Sequence, residues 1–195
     1  MLEPRYRPVF WTNIIAVAAF SLLFFVRENY EFILYIAVII FFIVVILKSR
    51  HQVDYPQPVL WGLTVWAILH MAGGGLYLGD KSLYSTMLLP IVGEPYWILK
   101  YDQVVHVIGF AVATLVAYYL LKPLLKQPIV RWRTLSIVVV MAGLGLGALN
   151  EIVEFAATVI LPETGVGGYE NTSIDLVADL IGAILAMGYL KSVER

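Results

Sequence analysis

The stretch Leu149-Asn150-Glu151-Ile152-Val153-Glu154-Phe155 puts two carboxylates and an amide inside an apolar run that extends from about Thr134 to Pro162. A charged side chain at the centre of a bilayer costs about 3 kcal/mol on insertion scales. Ionisable residues are therefore rare in transmembrane segments, and those that occur commonly belong to a functional site. The stretch thus predicts a membrane-spanning helix and locates the chemistry within it.

The composition is that of an integral membrane protein. Of the 195 residues, 61% are hydrophobic and 14% are charged, whereas soluble domains have roughly 45–50% apolar and about 25% charged residues. Because of this composition, membrane lipids are the expected surroundings of the protein. The net charge of −1 argues against a nucleic-acid partner. The chain has no cysteine, which excludes disulfides and thiolate-bound metals.

Six apolar runs are long enough to cross a bilayer as helices, for which about 20 residues are needed. None of them alternates apolar and polar residues as the strands of a membrane barrel do. The predicted fold class is therefore an all-α polytopic membrane helix bundle with about six transmembrane helices. The runs are approximately Val9–Val26, Phe32–Leu47, Pro58–Leu76, Tyr101–Leu121, Thr134–Leu161 and Ser173–Leu190.

The basic residues predict the orientation of the bundle. Lysine and arginine gather before the first run and after the second, fourth and sixth runs. These residues are Arg5, Arg7, Lys48, Arg50, Lys122, Lys126, Arg131, Arg133, Lys191 and Arg195. The positive-inside rule then places both termini in the cytoplasm. The long connection Gly73–Lys100 is predicted to lie outside, either as an interfacial loop anchored by Tyr and Trp or as a cap over a cavity.

Polar residues divide the helices into two groups within a single domain. The first two runs are expected to contain almost no buried polar group, whereas the last four contain nearly all of them. We interpret residues 1–50 as a lipid-facing helix pair and residues 57–191 as a four-helix functional core.

At 1.5 Å per residue, the ionisable groups of the last four helices fall about 18–30 Å from the predicted cytoplasmic end, in one layer of the outer half of the membrane. Spacings of three or four residues put the members of each pair on one helix face. Facing helices with such pairs build metal sites in bundles, and imidazole with carboxylate suits zinc, manganese or iron(II).

The predicted metal ligands are His106, Glu151, Glu154 and Asp179. The predicted catalytic residues, which complete the ligand shell or act as general base, are His70, Asp102 and Asp175. Asn150 and Asn171 are expected to form hydrogen bonds with the ligands or with the substrate.

Structural roles are the alternative for several of these residues. Asp102 and Asp175 lie in the first turns of their predicted helices, where a carboxylate stabilises the helix end. His70 could be a core histidine bonded to a carbonyl oxygen. For the deeper residues the alternative is an ion pair with a buried base, which the absence of Lys and Arg from the middle of all six runs disfavours. Gly143 and Gly147 are predicted to permit close helix packing.

The order of the motifs resembles a known family. Tyr101-Asp102-x-x-x-His106-x-x-Gly109, Asn150-Glu151-x-x-Glu154 and Asp175-x-x-x-Asp179-x-x-Gly182-Ala183, after an intramembrane His70, resemble the YjdF-type family of small polytopic membrane proteins over about residues 60–190. They are more distantly similar to VanZ-like proteins. The chain departs from the YjdF-type pattern in that Asn171-Thr172-Ser173-Ile174-Asp175 replaces a tryptophan-rich Asp-Thr-x-Trp-Asp segment. The resemblance implies a six-helix protein of a bacterial or archaeal inner membrane.

Three functions are compatible with the sequence. The leading hypothesis is a metal-dependent intramembrane enzyme that acts on a lipid or lipid-linked substrate. The second is a cation- or proton-coupled transporter, in which buried carboxylates and histidines form a relay. The third is a non-catalytic membrane scaffold whose polar cluster fixes the packing of the helices. The sequence does not indicate the oligomeric state.

Overall fold

The computed structural model describes residues 3–126 and 128–194, so Arg195 of the basic set above lies outside the described residues. Within these ranges six long α-helices account for most of the chain, which confirms the all-α membrane bundle. Their bounds are α1 Arg7–Val26, α2 Tyr30–Ser49, α3 Gln57–Gly75, α4 Tyr101–Leu121, α5 Trp132–Ile160 and α6 Tyr169–Val193. Short 3-10 turns at Pro4–Tyr6 and Lys122–Leu124 adjoin α1 and α4.

Five of these helices are long and apolar enough to cross a membrane, and α3 is the exception. The third predicted run does form a helix, α3, which is less apolar than the other five. Its apolar run is interrupted by Thr64, His70 and several glycines. Much of its surface is enclosed by other helices, and Val59, Thr64 and Met71 are almost completely buried. A helix shielded in this way by its neighbours needs less apolar surface than one that faces lipid.

The connection between α3 and α4 contains strands that the sequence analysis did not predict. β1 Tyr77–Leu78 pairs with β2 Lys81–Ser82, and β3 Met87–Val92 pairs with β4 Ile98–Lys100, both antiparallel. We call the end of the bundle that carries these strands the hairpin end. The opposite end, near Pro4 and Val193, is called the terminal end.

Helices α4, α5 and α6 pack closely because small residues lie where they meet. A Cβ atom on Gly182 of α6 would lie 2.8 Å from the backbone nitrogen of Ala111 in α4. A Cβ atom on Gly143 of α5 would lie 3.0 Å from that of Ala183. The first distance is shorter than real Cβ contacts, and at Gly143 the Cβ atom would also collide with the Thr114 side chain, so both positions need glycine. The predicted packing role of Gly143 is confirmed.

Two apolar clusters form the core. The cluster in the terminal half includes Tyr118, Val139, Met187 and Leu190. The cluster in the hairpin half joins α1, α2 and α3 through Phe24, Phe32, Ile39 and Met71. The layer of ionisable residues lies among α4, α5 and α6 at the hairpin side of the first cluster. The division into a lipid-facing pair and a four-helix core stays a prediction.

Candidate functional site

His106, in the second turn of α4, lies at the centre of the ionisable layer. Its side chain is buried, and its Nδ1 atom is 2.9 Å from Oδ1 of Asp179 on α6. On the other side of the ring, Nε2 is 3.7 Å from Oδ1 of Asp102, one turn earlier on α4. The imidazole therefore lies between two carboxylates from different helices.

Two overlapping groups around His106 have the donor atoms of a metal site. The first comprises Asp102, His106 and Asp175, and the second comprises His106, Glu151 and Asp179. In each group the ligand atoms lie within 4.8 Å of one another. The structure thus brings together five of the seven predicted residues, from α4, α5 and α6. Glu154 and His70 belong to neither group.

Several carboxylate oxygens in these groups are buried and have no hydrogen-bond partner. They are both side-chain oxygens of Glu151, Oδ1 of Asp175 and Oδ2 of Asp179. Asp175 and Asp179 are completely buried. Buried carboxylates without a partner are strongly unfavourable unless a proton or a cation neutralises them. The arrangement therefore has the donor set of a buried cation site.

A polar cavity of about 270 Å³ adjoins this cluster at the hairpin end. Asp102, Glu154 and His70 line it, together with residues from α2, from the α3–α4 connection and from the loop before α6. Those further residues are Asn29, Glu31, Phe32, Tyr35, Gly74, Tyr77, Ser82, Tyr84, Ser85, Lys100, Gly165, Val166, Gly167 and Asn171. The cavity gives a polar molecule access to the Asp102 side of the cluster.

The two predicted amides contact carboxylates of the site. Asn150 donates a hydrogen bond of 2.8 Å from Nδ2 to Oε1 of Glu154, one turn along α5. Asn171 donates from Nδ2 to Oδ2 of Asp175, one turn along α6. Each amide forms a hydrogen bond with one carboxylate oxygen and leaves the other oxygen free to bind another group. These are the contacts that residues surrounding a metal site make.

The first residues of α4 and α6 show whether Asp102 and Asp175 only stabilise helix ends. Helix α6 begins at Tyr169, earlier than the expected Ser173, so Asp175 lies in the second turn and Glu170 in the first. A capping role for Asp175 is therefore wrong. Asp102 does lie in the first turn of α4. There, however, Gln103 Oε1 accepts hydrogen bonds from the backbone nitrogens of Leu99 and Lys100 and caps the helix.

His70 faces the cavity from within a group of aromatic rings. The centroids of Phe32, Tyr35, Trp66 and Tyr84 lie 5.5–5.7 Å from its own. Its Nδ1 forms a hydrogen bond with the Tyr84 hydroxyl, so the alternative of a histidine bonded to a carbonyl is wrong. Burial, and then the nearby carboxylates Asp102 and Glu154, raise the pKa of the Tyr84 phenol well above its ordinary value. The phenol is therefore neutral and donates to His70.

Tyr84 is a member of the site that no pattern in the sequence indicated. Tyr84 lies in the connection after β2, where its backbone N–H donates to the Gly73 carbonyl over 3.0 Å. Its ring packs against Gly73, where no side chain stands in the way. Helical spacing carries no information about a residue in such a connection. The long connection Gly73–Lys100 is predicted either to cap a cavity or to lie at the membrane interface. That prediction is the one sign in the sequence that a residue such as Tyr84 could reach the site.

Gly147 packs against the Asp179 carboxylate, where a larger residue would not fit. A Cβ atom on Gly147 of α5 would lie 2.7 Å from the Asp179 carboxyl carbon. The predicted role of Gly147 in close packing is thus confirmed, and the residue that it accommodates is a member of the site. The packing of α5 on α6 and the position of this carboxylate depend on each other.

A second, apolar cavity of about 420 Å³ lies beside the site, among α2, α3, α4 and α5. Its lining includes Phe110, Leu146 and Val153, with Asn150 as a polar residue. Asn150 donates to Glu154, which lines the polar cavity, so the two cavities lie on either side of this hydrogen bond. A polar chamber and an apolar groove are therefore neighbours within the membrane-spanning part of the bundle.

Comparison with known proteins identifies the family to which the chain belongs. A family model described as "Predicted membrane protein (DUF2238)" matches residues 8–195. No protein with a curated description and no solved structure matches the chain. The narrower YjdF-type and VanZ-like resemblances stay predictions. The match covers nearly the whole chain and agrees with the multi-pass helical bundle, and the protein therefore belongs to the predicted membrane protein family DUF2238.

Proposed function

We propose that this protein is a metal-dependent enzyme of the inner membrane that acts on a lipid or lipid-linked substrate. The observation that carries the proposal is the set of buried, unpartnered carboxylate oxygens of Glu151, Asp175 and Asp179 around His106. Native proteins pair nearly all of their buried polar groups. A cation bound to the imidazole and to the carboxylates of one ligand group satisfies the oxygens that it contacts.

The donor set fits a transition metal. One imidazole with several carboxylates suits zinc, manganese or iron(II), whereas calcium takes oxygen ligands alone. Such an ion would polarise a bound carbonyl or phosphoryl oxygen or activate a water molecule. The expected ligands come from His106 and the carboxylates of its two groups.

The remaining polar residues of the cavity suit proton transfer and positioning. Glu154 and His70 both line the cavity without belonging to either ligand group. Glu154 is oriented by Asn150, and His70 by Tyr84. A general base needs a defined position close to the reacting group, and each of these side chains has one. We assign proton transfer to Glu154 or His70.

The adjoining cavities support an amphiphilic substrate. A polar headgroup fits the chamber near Asp102, and an apolar chain fits the groove lined by Phe110, Leu146 and Val153. Ligand pockets of this type combine a largely apolar lining with a few well-placed polar groups. A lipid reaches the groove from the bilayer without passing through water.

Two observations favour an enzyme over the other functions. A transporter needs a polar path to both sides of the membrane. In the described residues the terminal half of the bundle holds the apolar cluster around Tyr118, Val139 and Leu190, and the two cavities that reach it have no ionisable carboxylate, histidine or base in their linings. A polar cluster that served packing alone would have its carboxylates paired with donors. The unpartnered Oδ1 of Asp175, which belongs to a ligand group with His106, instead indicates a bound cation.

Metal analysis of the purified protein tests the proposal. We expect zinc, manganese or iron at about one ion per chain in the wild-type protein, and loss of that metal in His106→Ala, because both ligand groups include His106. The matched control is His51→Ala, since His51 is exposed in the connection between α2 and α3. A monodisperse wild-type sample that binds none of the three metals after supplementation would contradict the proposal.

A further inference from the structure

A neutral His106 can bind an ion through only one of its ring nitrogens, because the other nitrogen carries a proton. We propose that the ion lies on the Nε2 side, bound by His106, Asp102 and Asp175, and that Asp179 is a positioning residue which fixes the ring. This inference rests on the proposed metal site. It assigns Asp102 and Asp175 as ligands in place of Glu151, Glu154 and Asp179.

The two distances from the His106 ring distinguish the sides. The 2.9 Å between Nδ1 and Asp179 Oδ1 is an ordinary N–H···O hydrogen-bond distance. The 3.7 Å between Nε2 and Asp102 Oδ1 is too long for one. Two atoms bound to one tetrahedral ion with bonds of about 2.1 Å lie about 3.4 Å apart. The gap on the Nε2 side is thus close to the separation of two ligands of one ion.

Asp179 makes the contact that commonly supports a metal-bound histidine. Such histidines usually donate their other ring N–H to a carboxylate or carbonyl, which fixes the tautomer and raises the basicity of the ligating nitrogen. With its proton on Nδ1, His106 donates to the completely buried Asp179. Its Nε2 lone pair then points towards Asp102, to which it lies nearest.

We assign Asp175 as the third ligand, because its carboxylate belongs to the same group as Asp102 and His106. It is completely buried, and its Oδ1 has no partner. Its other oxygen, Oδ2, accepts from Asn171, which orients the carboxylate. The ligand atoms of Asp102, His106 and Asp175 lie within 4.8 Å of one another. The two carboxylates also neutralise a divalent ion.

The Nε2 and Nδ1 sides of the His106 ring also differ in their access from the polar cavity. Catalytic metal sites keep one coordination position open to water or substrate. Asp102 and Asn171 line the polar cavity, whereas neither Glu151 nor Asp179 does among the described residues. An ion on the Nε2 side can therefore meet a substrate.

Isosteric variants of the full-length protein test this assignment by metal content. We expect Asp102→Asn and Asp175→Asn each to lower bound zinc or manganese at least about tenfold, and Glu151→Gln to keep the wild-type content. The matched control is Asp80→Asn, since Asp80 is exposed in the turn between β1 and β2. Size-exclusion chromatography and melting temperature establish that each variant is folded.

Asp179→Asn needs a measurement that a purely structural role would not change. We expect it to bind Co²⁺ about 10–100-fold more weakly than the wild type in competition with a chelator. We also expect its visible Co²⁺ absorption band to shift, because the ring loses its charged hydrogen-bond partner. An unchanged affinity and spectrum in a folded variant would overturn the positioning role.

The outcomes separate this inference from the proposed function. Loss of metal in Glu151→Gln, whether Asp102→Asn keeps or loses its own, overturns the Nε2 assignment and leaves the metal enzyme standing. A wild-type protein that binds no metal contradicts both. Loss in Asp102→Asn and Asp175→Asn, with full content in Glu151→Gln, supports the inference.

Discussion

At the scale of single residues, the position of one carboxylate depends on the absence of a side chain at Gly147. A methyl group there would collide with the Asp179 carboxylate, which the completely buried Asp179 cannot avoid by moving into solvent. We expect Gly147→Ala to lower the free energy of unfolding by about 1–3 kcal/mol, the usual effect of overpacking. Thermal unfolding in detergent measures this effect.

Gly145 provides the matched control on the same helix. A Cβ atom at Gly145 meets nothing within 4 Å, so Gly145→Ala is expected to leave stability unchanged or to raise it by about 0.5–1 kcal/mol through helix propensity. If both variants unfold at the same temperature, the close approach of α5 to Asp179 is not needed for stability.

Part of the site could be predicted residue by residue. A carboxylate in an apolar run is anomalous, and helical spacing places Asp175 and Asp179, or Glu151 and Glu154, on one face. The sequence therefore indicated the layer and its members. It did not indicate that His106 lies between Asp102 and Asp179, because spacing along one helix does not specify how a neighbouring helix is rotated.

At the scale of elements, hydropathy located the helices better than it located their ends. The predicted and observed bounds of α4 coincide at Tyr101 and Leu121. Helix α6 begins earlier than its apolar run, since Tyr169, Glu170 and Asn171 continue the helix beyond the apolar residues. Hydropathy reports the lipid boundary, whereas backbone hydrogen bonding sets the helix end. The strands of the α3–α4 connection are short, and no alternation marked them.

The α3–α4 connection contributes Tyr84 to the site. We therefore expect the order of this connection to depend on the Tyr84 hydroxyl. Tyr84→Phe removes the donor to His70 Nδ1 and leaves a partly buried ring nitrogen without this partner. Loss of a partner costs about 1–3 kcal/mol for a fully buried group and less for a partly buried one. We expect a lower melting temperature and faster amide hydrogen exchange in residues 76–100, with the bundle helices unaffected.

Tyr96→Phe is the control for that measurement, because Tyr96 lies in the same connection and about half of its ring is exposed. Its hydroxyl is expected to contribute nothing measurable. Equal exchange rates in the two variants would show that the Tyr84 hydroxyl does not hold the connection against α3.

At the scale of the whole molecule, charge is distributed unequally between the two ends. Among the described residues, Arg27, Lys81 and Lys100 are the basic residues at the hairpin end, and the others lie at the terminal end. Because cytoplasmic loops carry the excess of Lys and Arg, we expect the terminal end to face the cytoplasm. The polar cavity then opens towards the outside.

The absence of cysteine allows a direct test of this orientation. Asp80→Cys places one thiol in the exposed turn between β1 and β2, and Ser192→Cys places one in the last turn of α6. In intact cells a membrane-impermeant maleimide is expected to label Asp80→Cys and to leave Ser192→Cys unlabelled until the membrane is permeabilised. The wild-type chain controls for background, and labelling after permeabilisation shows that both thiols are accessible. Labelling of Ser192→Cys alone in intact cells would reverse the orientation, and the cavity with Asp102 and Glu154 would then draw its substrate from the cytoplasmic side.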